Sequence, residues 1–471
     1  MSRMLVAACC ALLAGCATRV PQVLSPPLVP QAFVGQEAAL GSVWPKPDWW
    51  QQFGSPELSD FILRAQNDNR DLAVAAASVV QAHAQTVIQR ASLFPQLNLQ
   101  AQAQRSKLSA VSSGISNYPA GNEFGVNLAA SYEIDVWGLA RSNLRAATEA
   151  LKAARFGQQA VALTVTANVA SAYFNVLALR SRISIANEDI AAINDILGTI
   201  QLRVTTGTSS HLDLAQERAQ VESVEAELPE LQEQELEARV ALAVLLGQTP
   251  ETLDVKAPSL ESIHPPLMNP GLPSDLLLRR PDVAQAEANL ASAHASVDAA
   301  RAAFLPQFAL TGSDGFASAA IGTLLHGPSV AWDYGGSLLQ TIFDGGKLVG
   351  QKKLAEGTQQ QLIATYQKAV LNAYADVETA LGQVKHYDLA EQHLGHEVDA
   401  AREAFQISQL QYRQGTTDLL TVLQSQQTLF SAEDQLAQIS LARMQSVVHL
   451  YEALGGGWME QSGEQTQFTT P

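Results

Sequence analysis

Cysteine is scarce in this 471-residue sequence, and its three copies, Cys9, Cys10 and Cys16, all lie within the first sixteen residues. From residue 17 onward the chain contains no thiol. Disulfides, thiolate nucleophiles and cysteine-ligated metal sites all need thiols, so none of them can form in that part of the chain. Cys16 therefore has no cysteine partner further along the sequence.

Positive charge is also in short supply. The sequence has 29 Lys and Arg against 46 Asp and Glu, which gives a formal net charge of −17. A nucleic-acid partner requires a basic patch to meet the phosphate backbone. No dense run of Lys or Arg offsets the acidic average, so a nucleic-acid partner is not expected.

Long apolar runs and catalytic motifs are the third absence. Beyond the N-terminus, no stretch approaches the eighteen uninterrupted apolar residues that identify a membrane-spanning helix. No Ser/His/Asp set, G-x-S-x-G or H-E-x-x-H motif is present, and "FDGGKLVG" lacks the spacing of a phosphate-binding loop. His386, His393 and His396 could share a helix face, but no acidic ligand is obviously fixed to complete a metal site, and an exposed helix face explains them equally well. We therefore expect no enzyme, cofactor or metal site.

The N-terminus reads as a secretory signal. "MSRMLVAACCALLAGC" combines one basic residue, Arg3, with an apolar run too short to span a bilayer. "LAGC" resembles the lipobox of bacterial lipoproteins, which implies that Cys16 becomes the first residue and carries S-diacylglycerol and N-palmitoyl groups. Ala17, in place of the Asp that retains such proteins in the inner membrane, points to the outer membrane. The alternative is plain secretion with an incidental cysteine.

The hydrophobic period changes from helical to alternating at two prolines, Pro95 and Pro306. Proline lacks an N–H and biases the preceding residue towards extended geometry, so each ends an Ala-rich helix that starts, in the first half, at "GSPEL" and runs to about Leu93. After Pro95, leucines and alanines alternate with Asn98, Gln100, Gln102 and Gln104. Two alternating runs in each half predict β-hairpins at 96–137 and 307–344.

Almost nothing interrupts the helical pattern that follows each hairpin. Helices are expected at 138–246 and 347–455, each interrupted by one turn, "TTGTSS" and "RQGTTD". At ~1.5 Å per residue the longer members extend ~100 Å, too long for a compact domain. Their narrow Ala/Leu seams favour antiparallel coiled coils, and Pro229 is expected to kink one return helix.

The two halves of the sequence repeat each other. Pro95 and Pro306 lie 211 residues apart, while Gly207 and Gly415, and Gly247 and Gly455, each lie 208 apart. This offset indicates a tandem duplication. The expected organisation is a signal peptide, an extended tether, a first repeat, a second repeat and a C-terminal tail, at residues 1–15, 16–54, 55–260, 261–457 and 458–471.

The alternating strands are long enough to cross a bilayer at a tilt. Lipid tolerates no unpaired strand edge, so spanning strands must close into a barrel, and barrels need about eight strands or more. Four strands per chain are too few, so several chains would share one barrel. An ordinary soluble sheet with one wet face shows the same alternation and remains the alternative.

Three stretches carry a resemblance to a known family: "WWQQFGSPELSDFILRAQNDNRDLAVAAA", "LLLRRPDVAQAEANLASAHASVDAARAAFLPQFALTG" and "TIFDGGK". With them, the chain after its signal resembles the TolC/OprM-like outer membrane factors, particularly the lipoprotein (NodT-like) branch that serves RND multidrug efflux pumps. The resemblance implies a mainly α fold with a membrane β-barrel part. Four strands from each chain of a homotrimer would form a twelve-stranded barrel, and long coiled-coil helices would form a periplasmic tunnel.

The resemblance also implies function and site residues. The chain would be the passive exit duct of a tripartite efflux system, opened by a periplasmic adaptor and an inner-membrane RND transporter. At the periplasmic tip, Asp418 would form an acidic ring and Leu419 or Leu420 an apolar constriction. Ties holding the tip closed are expected among Arg203, Asp213, Tyr412 and Arg413. Asp418 acting only as a helix cap is the alternative.

Two other functions remain open at the level of sequence. The same duct would serve a type I system that secretes protein. A lipid-anchored periplasmic coiled-coil scaffold, whose sheets stay in water, would also show long helices and alternating strands.

Overall fold

A computed structural model describes residues 33, 44–107, 109, 119–261, 263–266 and 276–458. The signal peptide, Cys16 and most of the predicted tether and tail lie outside the described residues. The helices are α1 Pro56–Asp68, α2 Arg70–Ala91, α3 Leu139–Thr205, α4 His211–Leu245, α5 Pro281–Ala302, α6 Lys347–Gln414 and α7 Leu419–Ala453. The strands are β1 Gln96–Ser106, β2 Gly121–Ile134, β3 Gln307–Ser318 and β4 Val330–Leu339.

The first helical segment is broken, and the prediction of one helix to about Leu93 is wrong. Asn69 adopts extended geometry (φ −62°, ψ 132°) between α1 and α2. Its side-chain oxygen accepts hydrogen bonds from the backbone N–H groups of Asp71 and Leu72, and its amide donates to the carbonyl of Leu245 at 2.8 Å. Asn69 thus caps α2 and fastens it to the end of α4.

The long helices agree with the sequence prediction. α3 has 67 residues and α6 has 68, which corresponds to ~100 Å each. Each is followed by a return helix of 35 residues, and α4 stays helical through Pro229. Two long antiparallel hairpins therefore form the body of the protein.

The four strands form one antiparallel sheet in the order β1-β2-β3-β4. Each predicted hairpin is present, and the hairpins are joined by pairing of β2 with β3, which brings Ala130 opposite Gly312. The sheet extends away from the helices because Pro95 and Pro306 direct the chain from helix into strand in both repeats.

The same junction is built twice. Gly247 and Gly455 both have positive φ. A Cβ added to Gly247 would stand 2.2 Å from the carbonyl oxygen of Asp68, and one added to Gly455 would stand 1.7 Å from that of Arg279. Only glycine permits this approach. Asn69 bonds the carbonyl of Leu245, and Arg280, at the matching position, bonds the carbonyl of Ala453.

The two repeats share one core rather than folding as separate units. Trp49 and Phe53, near the start, pack with Tyr173 and Phe174 of α3 and with Tyr451 of α7. The rings of Trp49 and Tyr451 stack with centroids 4.6 Å apart. Trp49–Phe53 thus forms a buried 3-10 helix, so this last part of the predicted tether, 16–54, is not extended but belongs to the core that the two repeats share.

Within the described ranges, α3 alone is long and apolar enough to span a membrane by length and composition. Half of its most apolar window is buried inside the protein. Most of its buried residues lie at 165–181, where it contributes to the shared core. Core packing accounts for this apolar stretch.

Candidate functional site

The register of the sheet separates two chemically different faces. Opposite residues of antiparallel strands share a face, so the pairings Leu97–Ala130, Leu99–Leu128 and Leu128–Asp314 can be followed across all four strands. One face is mostly apolar and aromatic: Leu97, Leu99, Ala101, Phe124, Val126, Leu128, Tyr132, Phe308, Leu310, Phe316, Trp332, Tyr334 and Leu338. The other carries the amides of β1 together with Glu123, Asn127, Glu133, Thr311, Ser313 and Asp333.

The apolar face is open in the single chain. Leu99 is 75% exposed, Trp332 67% and Tyr334 72%. The rings of Trp332 and Tyr334 lie 5.6 Å apart near the start of β4, and Trp137 lies beyond the other end of the sheet, where its Nε1 donates to the carbonyl of Pro306 at 2.7 Å. Aromatic residues at both ends of an apolar band are typical of a membrane-spanning barrel.

Charged residues on the apolar face are few among the described strands. Arg105 lies at the end of β1 beside Asn122, and Asp314 lies between Leu128 and Trp332. Asp314 therefore departs from the alternation of apolar and polar residues along β3.

The sheet has two free edges. β1 pairs only with β2, and β4 pairs only with β3, among the strands that the structure describes. The strands have 11, 14, 12 and 10 residues, which is sufficient to cross a bilayer at a tilt. An open edge cannot face lipid because its N–H and C=O groups would have no partner. In lipid, the edge strands β1 and β4 would each need a further strand as partner.

Asp135 and Asp344 stabilise the corners at which the last strand of each hairpin is followed by a long helix. Asp135 accepts from the backbone N–H groups of Ala140 and Arg141, and Asp344 accepts from those of Gly346 and Leu348. Burial alone would raise the pKa of Asp135, but these bonds and Arg141 lower it. The bond from Leu348 chiefly lowers the pKa of Asp344. The stretches "IDVWG" and "FDGGK" thus form matching corners between strand and helix in the two repeats.

Arg203 ties the two helical turns together at the opposite end of the molecule. Its Nη2 donates to the carbonyl oxygens of Tyr412 at 2.7 Å and Arg413 at 3.0 Å, and its guanidinium lies 4.4 Å from the centroid of the Tyr412 ring. Arg413 in turn donates to Asp195 of α3 at 2.6 Å. Three of the predicted tip residues are therefore in contact, and Asp195 is a partner that the sequence analysis missed.

Asp213 does not join this group within the single chain, where its hydrogen bonds are local. Its carboxylate accepts from the hydroxyl of Ser209 at 2.6 Å and from the backbone N–H of Ser210, and its own backbone N–H donates to the Ser210 hydroxyl oxygen, which completes a capping box. The Ser209 bond chiefly lowers its pKa. The "S-x-x-D" spacing at the start of α4 was the signal for this local role.

Asp418 caps α7. Its Oδ1 accepts from the backbone N–H of Thr421 at 2.9 Å and from the Thr421 hydroxyl at 2.7 Å, and the hydroxyl bond chiefly lowers its pKa. The carboxylate itself remains open to solvent. Leu419 is buried in an apolar cluster at the tip with Ile196, Ile200, Phe405, Tyr412 and Val422, whereas Leu420 is 57% exposed.

Metal binding finds no support in the described parts of the chain, where no three His, Cys, Asp or Glu side chains are placed to hold an ion. The features with a clear chemical consequence are the two-faced open sheet and the tied tip. Together they describe a wall that separates an apolar medium from water, continued by a long helical shaft.

Comparison with known proteins agrees with this description. The family model "Outer membrane efflux protein" matches residues 62–248 and 272–456, one segment in each repeat. The pyoverdine export outer membrane protein OpmQ of Pseudomonas putida is 37% identical over 96% of each chain, and that of Pseudomonas aeruginosa is 38% identical over 87% of each.

Among solved structures, the outer-membrane channel OprN is similar with a TM-score of 0.86 and 26% identity, covering 94% of this chain and 98% of its own. The match thus extends over sheet and helices together. The chain belongs to the outer membrane efflux protein family, and it is a TolC/OprM-like efflux channel of the outer membrane.

Proposed function

We propose that three copies of the chain close their sheets into one twelve-stranded barrel, with β4 of each copy pairing with β1 of the next. The observation that carries this proposal is the four-stranded sheet with an apolar face, a polar face and two open edges. Three copies give twelve strands, an even number within the range known for barrels. Glu123, Glu133 and Asp333 would then line a wet lumen.

We further propose that the closed barrel is the exit of a tripartite small-molecule efflux system. The helical shaft, ~100 Å long, would extend into the periplasm and meet an adaptor and an inner-membrane RND transporter. Export of pyoverdine, as the names of the OpmQ relatives state, supports a small-molecule cargo for this chain too. The channel would be a passive conduit with its gate at the tied tip.

Purified protein in planar bilayers tests the conduit and the part played by Asp418. We expect cation-preferring conductance, because three carboxylates around a narrow axis repel anions. Asp418→Asn should lower this preference while keeping the cap, whereas Asp418→Ala should lower it and also cost about 1 kcal/mol of α7 stability. Absence of conductance from a trimer seen by cross-linking would favour the periplasmic scaffold. An unchanged ion preference in Asp418→Asn would leave Asp418 as a cap alone.

Cys16 is proposed as a second, separable membrane anchor. We expect Cys16→Ser to lose its lipid but to remain largely in the outer membrane fraction, because the lipid-facing strands hold the barrel there. Fractionation of cells that express each form, with detergent-extracted trimer as the measure, checks this. Full release of Cys16→Ser into the periplasm would mean that lipid alone retains the protein.

A further inference from the structure

Glu217 occupies an apolar seam position on α4. The seam residues follow the alternating spacing of three and four that defines a coiled-coil core, namely Leu214, Glu217, Val221, Val224, Leu228 and Leu231. All but Glu217 are aliphatic. A carboxylic acid at such a position is rare because the seam faces the partner helix and excludes water.

The carboxyl group of Glu217 is fully buried and unpaired. The residue is 0% exposed, and neither Oε1 nor Oε2 has a hydrogen-bond partner among the described residues. An isolated carboxylate in an apolar interior is so unfavourable that the group takes up a proton or the structure moves to hydrate it. The geometry therefore allows two states, one protonated and closed, the other ionised and open to water.

The surroundings of Glu217 are apolar on both sides along the seam. Leu214 contacts the tip cluster that contains Tyr412 and Leu419, and Val221 packs with Ile193 in the next cluster. Glu217 thus lies between the core of the α3–α4 hairpin and the cluster that holds the tip residues. One turn of α4 separates Glu217 from Leu214, which packs against the tip cluster.

The charges that act on Glu217 come from α3, the helix against which α4 packs. Burial first, and then the negative charge of Asp189, raise the pKa of Glu217 to about 7. Asp189 accepts a hydrogen bond from Gln426 of α7 and faces Glu227 and Glu433. The other charges on α3 near the tip, Asp195 and Arg203, are engaged with α6.

Comparable positions elsewhere in the molecule are paired. Glu235, at a later seam position of α4, lies 3.0 Å from Arg180 and 3.5 Å from Arg239. Ser425, at the position 208 residues after Glu217 in the second repeat, lies 2.6 Å from the hydroxyl of Ser408. Of these three positions, all within the described part of the chain, Glu217 is the one whose polar side chain has no partner.

We propose that Glu217 is a proton-dependent latch, which holds the α3–α4 seam closed beside the tip when protonated and loosens it when ionised. This inference rests on the proposed function of the tip as a gate. The ligand of the site is the proton. The consequence is a channel whose tip becomes easier to open as the periplasm becomes less acidic.

The direction of the pH dependence follows from the linkage between proton binding and seam closure. At pH values between 4.5, the ordinary pKa of glutamic acid, and about 7, Glu217 keeps its proton in the closed seam but releases it in a loosened seam. The seam is therefore tightest below about pH 4.5 and loses this stabilisation as the pH rises through about 7. Replacing the carboxyl by an uncharged group should remove the dependence.

Hydrogen exchange on the full-length protein in detergent tests the latch directly. After correction for intrinsic exchange rates, amides of 211–225 should exchange about thirtyfold faster at pH 8.5 than at pH 5.5, because about 1.5 pH units of the linkage lie between pH 5.5 and about 7. Glu217→Gln and Glu217→Leu should show no such difference. The Leu variant is included because an aliphatic side chain fits the seam even if the Gln variant packs poorly. Glu222→Gln, an exposed carboxyl on the same helix, is the matched control and should behave like the parent.

A pH difference that survives in both Glu217 variants, or that is missing from the parent, would overturn the latch. Conductance in planar bilayers tests the coupling, since the open fraction should rise from pH 5.5 to 8.5 in the parent and stay flat in Glu217→Gln. Seam exchange that depends on pH with an unresponsive open fraction would refute the link to the tip. No conductance in any form would sink the proposed function, while the exchange data would still decide on the proton-dependent seam.

Discussion

Leu99→Arg is expected to abolish most of the membrane-inserted form of the protein. Leu99 lies on the apolar face opposite Leu128, near the middle of β2, and three quarters of its surface is open in the single chain. An arginine facing lipid near the midplane of a barrel costs about 2–4 kcal/mol, and a trimer would incur that cost three times. The measurement is the amount of detergent-resistant trimer in the outer membrane fraction.

Gln100→Arg is the matched control for Leu99→Arg. Gln100 is the next residue of β1 and lies opposite Asn127 on the polar face. An arginine there would point into the aqueous lumen, so we expect trimer within about twofold of the parent, because surface changes of this kind rarely exceed about 0.5 kcal/mol. Its effect should be confined to ion selectivity.

The pair of variants separates the two interpretations of the alternating strands. In a soluble sheet packed on nothing, both faces would be wet and both arginines would be tolerated. Loss of trimer in both variants would instead indicate that the two faces are buried. Only an apolar medium on one side and water on the other predicts loss for Leu99→Arg with retention for Gln100→Arg.

The strand faces could be predicted from sequence because their determinant is local. Side chains of a strand alternate between its two faces, so the faces can be read directly from the order of residues, and Pro95 and Pro306 mark where this alternation begins. The caps at Asp135, Asp344 and Asp418 are equally local, since each carboxylate bonds N–H groups within six residues. Boundaries of the long helices were predictable for the same reason.

What sequence reasoning missed depends on contacts between distant segments. Asn69 breaks the first helix because Leu245, 176 residues away, supplies a carbonyl for its amide. The role of Asp195 could not be predicted because Arg413, which donates to it, lies on α6, far away in the sequence. The capping box of Asp213, in contrast, is local, because an acid in the first turn of a helix lies close to the backbone N–H groups there.

Glu217 illustrates an intermediate case. Its place in the three-and-four spacing of α4 is visible in the sequence, and a seam analysis of that helix would have singled it out. That it lacks a partner, while Glu235 has Arg180, depends on which residues of α3 lie opposite. Periodicity identifies the position, and only the packed hairpin identifies the unpaired group.

Arg203→Ala is expected to raise the open fraction of the channel in planar bilayers by about thirtyfold for each protomer that must open. The variant loses two charge-assisted hydrogen bonds to the carbonyls of Tyr412 and Arg413 and a cation–π contact with the Tyr412 ring. One of the bonds is exposed, so the total is about 2 kcal/mol rather than the full sum of three buried contacts. A difference of that size corresponds to about thirtyfold in a two-state equilibrium.

Two further variants rank the ties at the tip. Asp195→Ala removes the ion pair with Arg413, whose partners are both more than half exposed, so an effect below about 1 kcal/mol is expected. Arg218→Ala removes a positive charge from an exposed position of α4 and should leave the open fraction unchanged. An equal effect of Arg203→Ala and Arg218→Ala would mean that net charge at the tip, not the Arg203 contacts, holds the channel closed.

Arg203 also contacts the C-terminal carbonyls of α6, where an arginine stabilises any helix end. That role alone would lower the melting temperature of Arg203→Ala without changing conductance. A gate tie predicts the opposite pattern, in which the open fraction rises while the melting temperature, set by the shared core of both repeats, stays within a few degrees. Arg203→Lys sharpens the distinction, because lysine keeps the charge near the helix end but cannot reproduce the guanidinium contact with both carbonyls and the Tyr412 ring. The lysine variant should therefore conserve thermal stability and still open more readily than the parent.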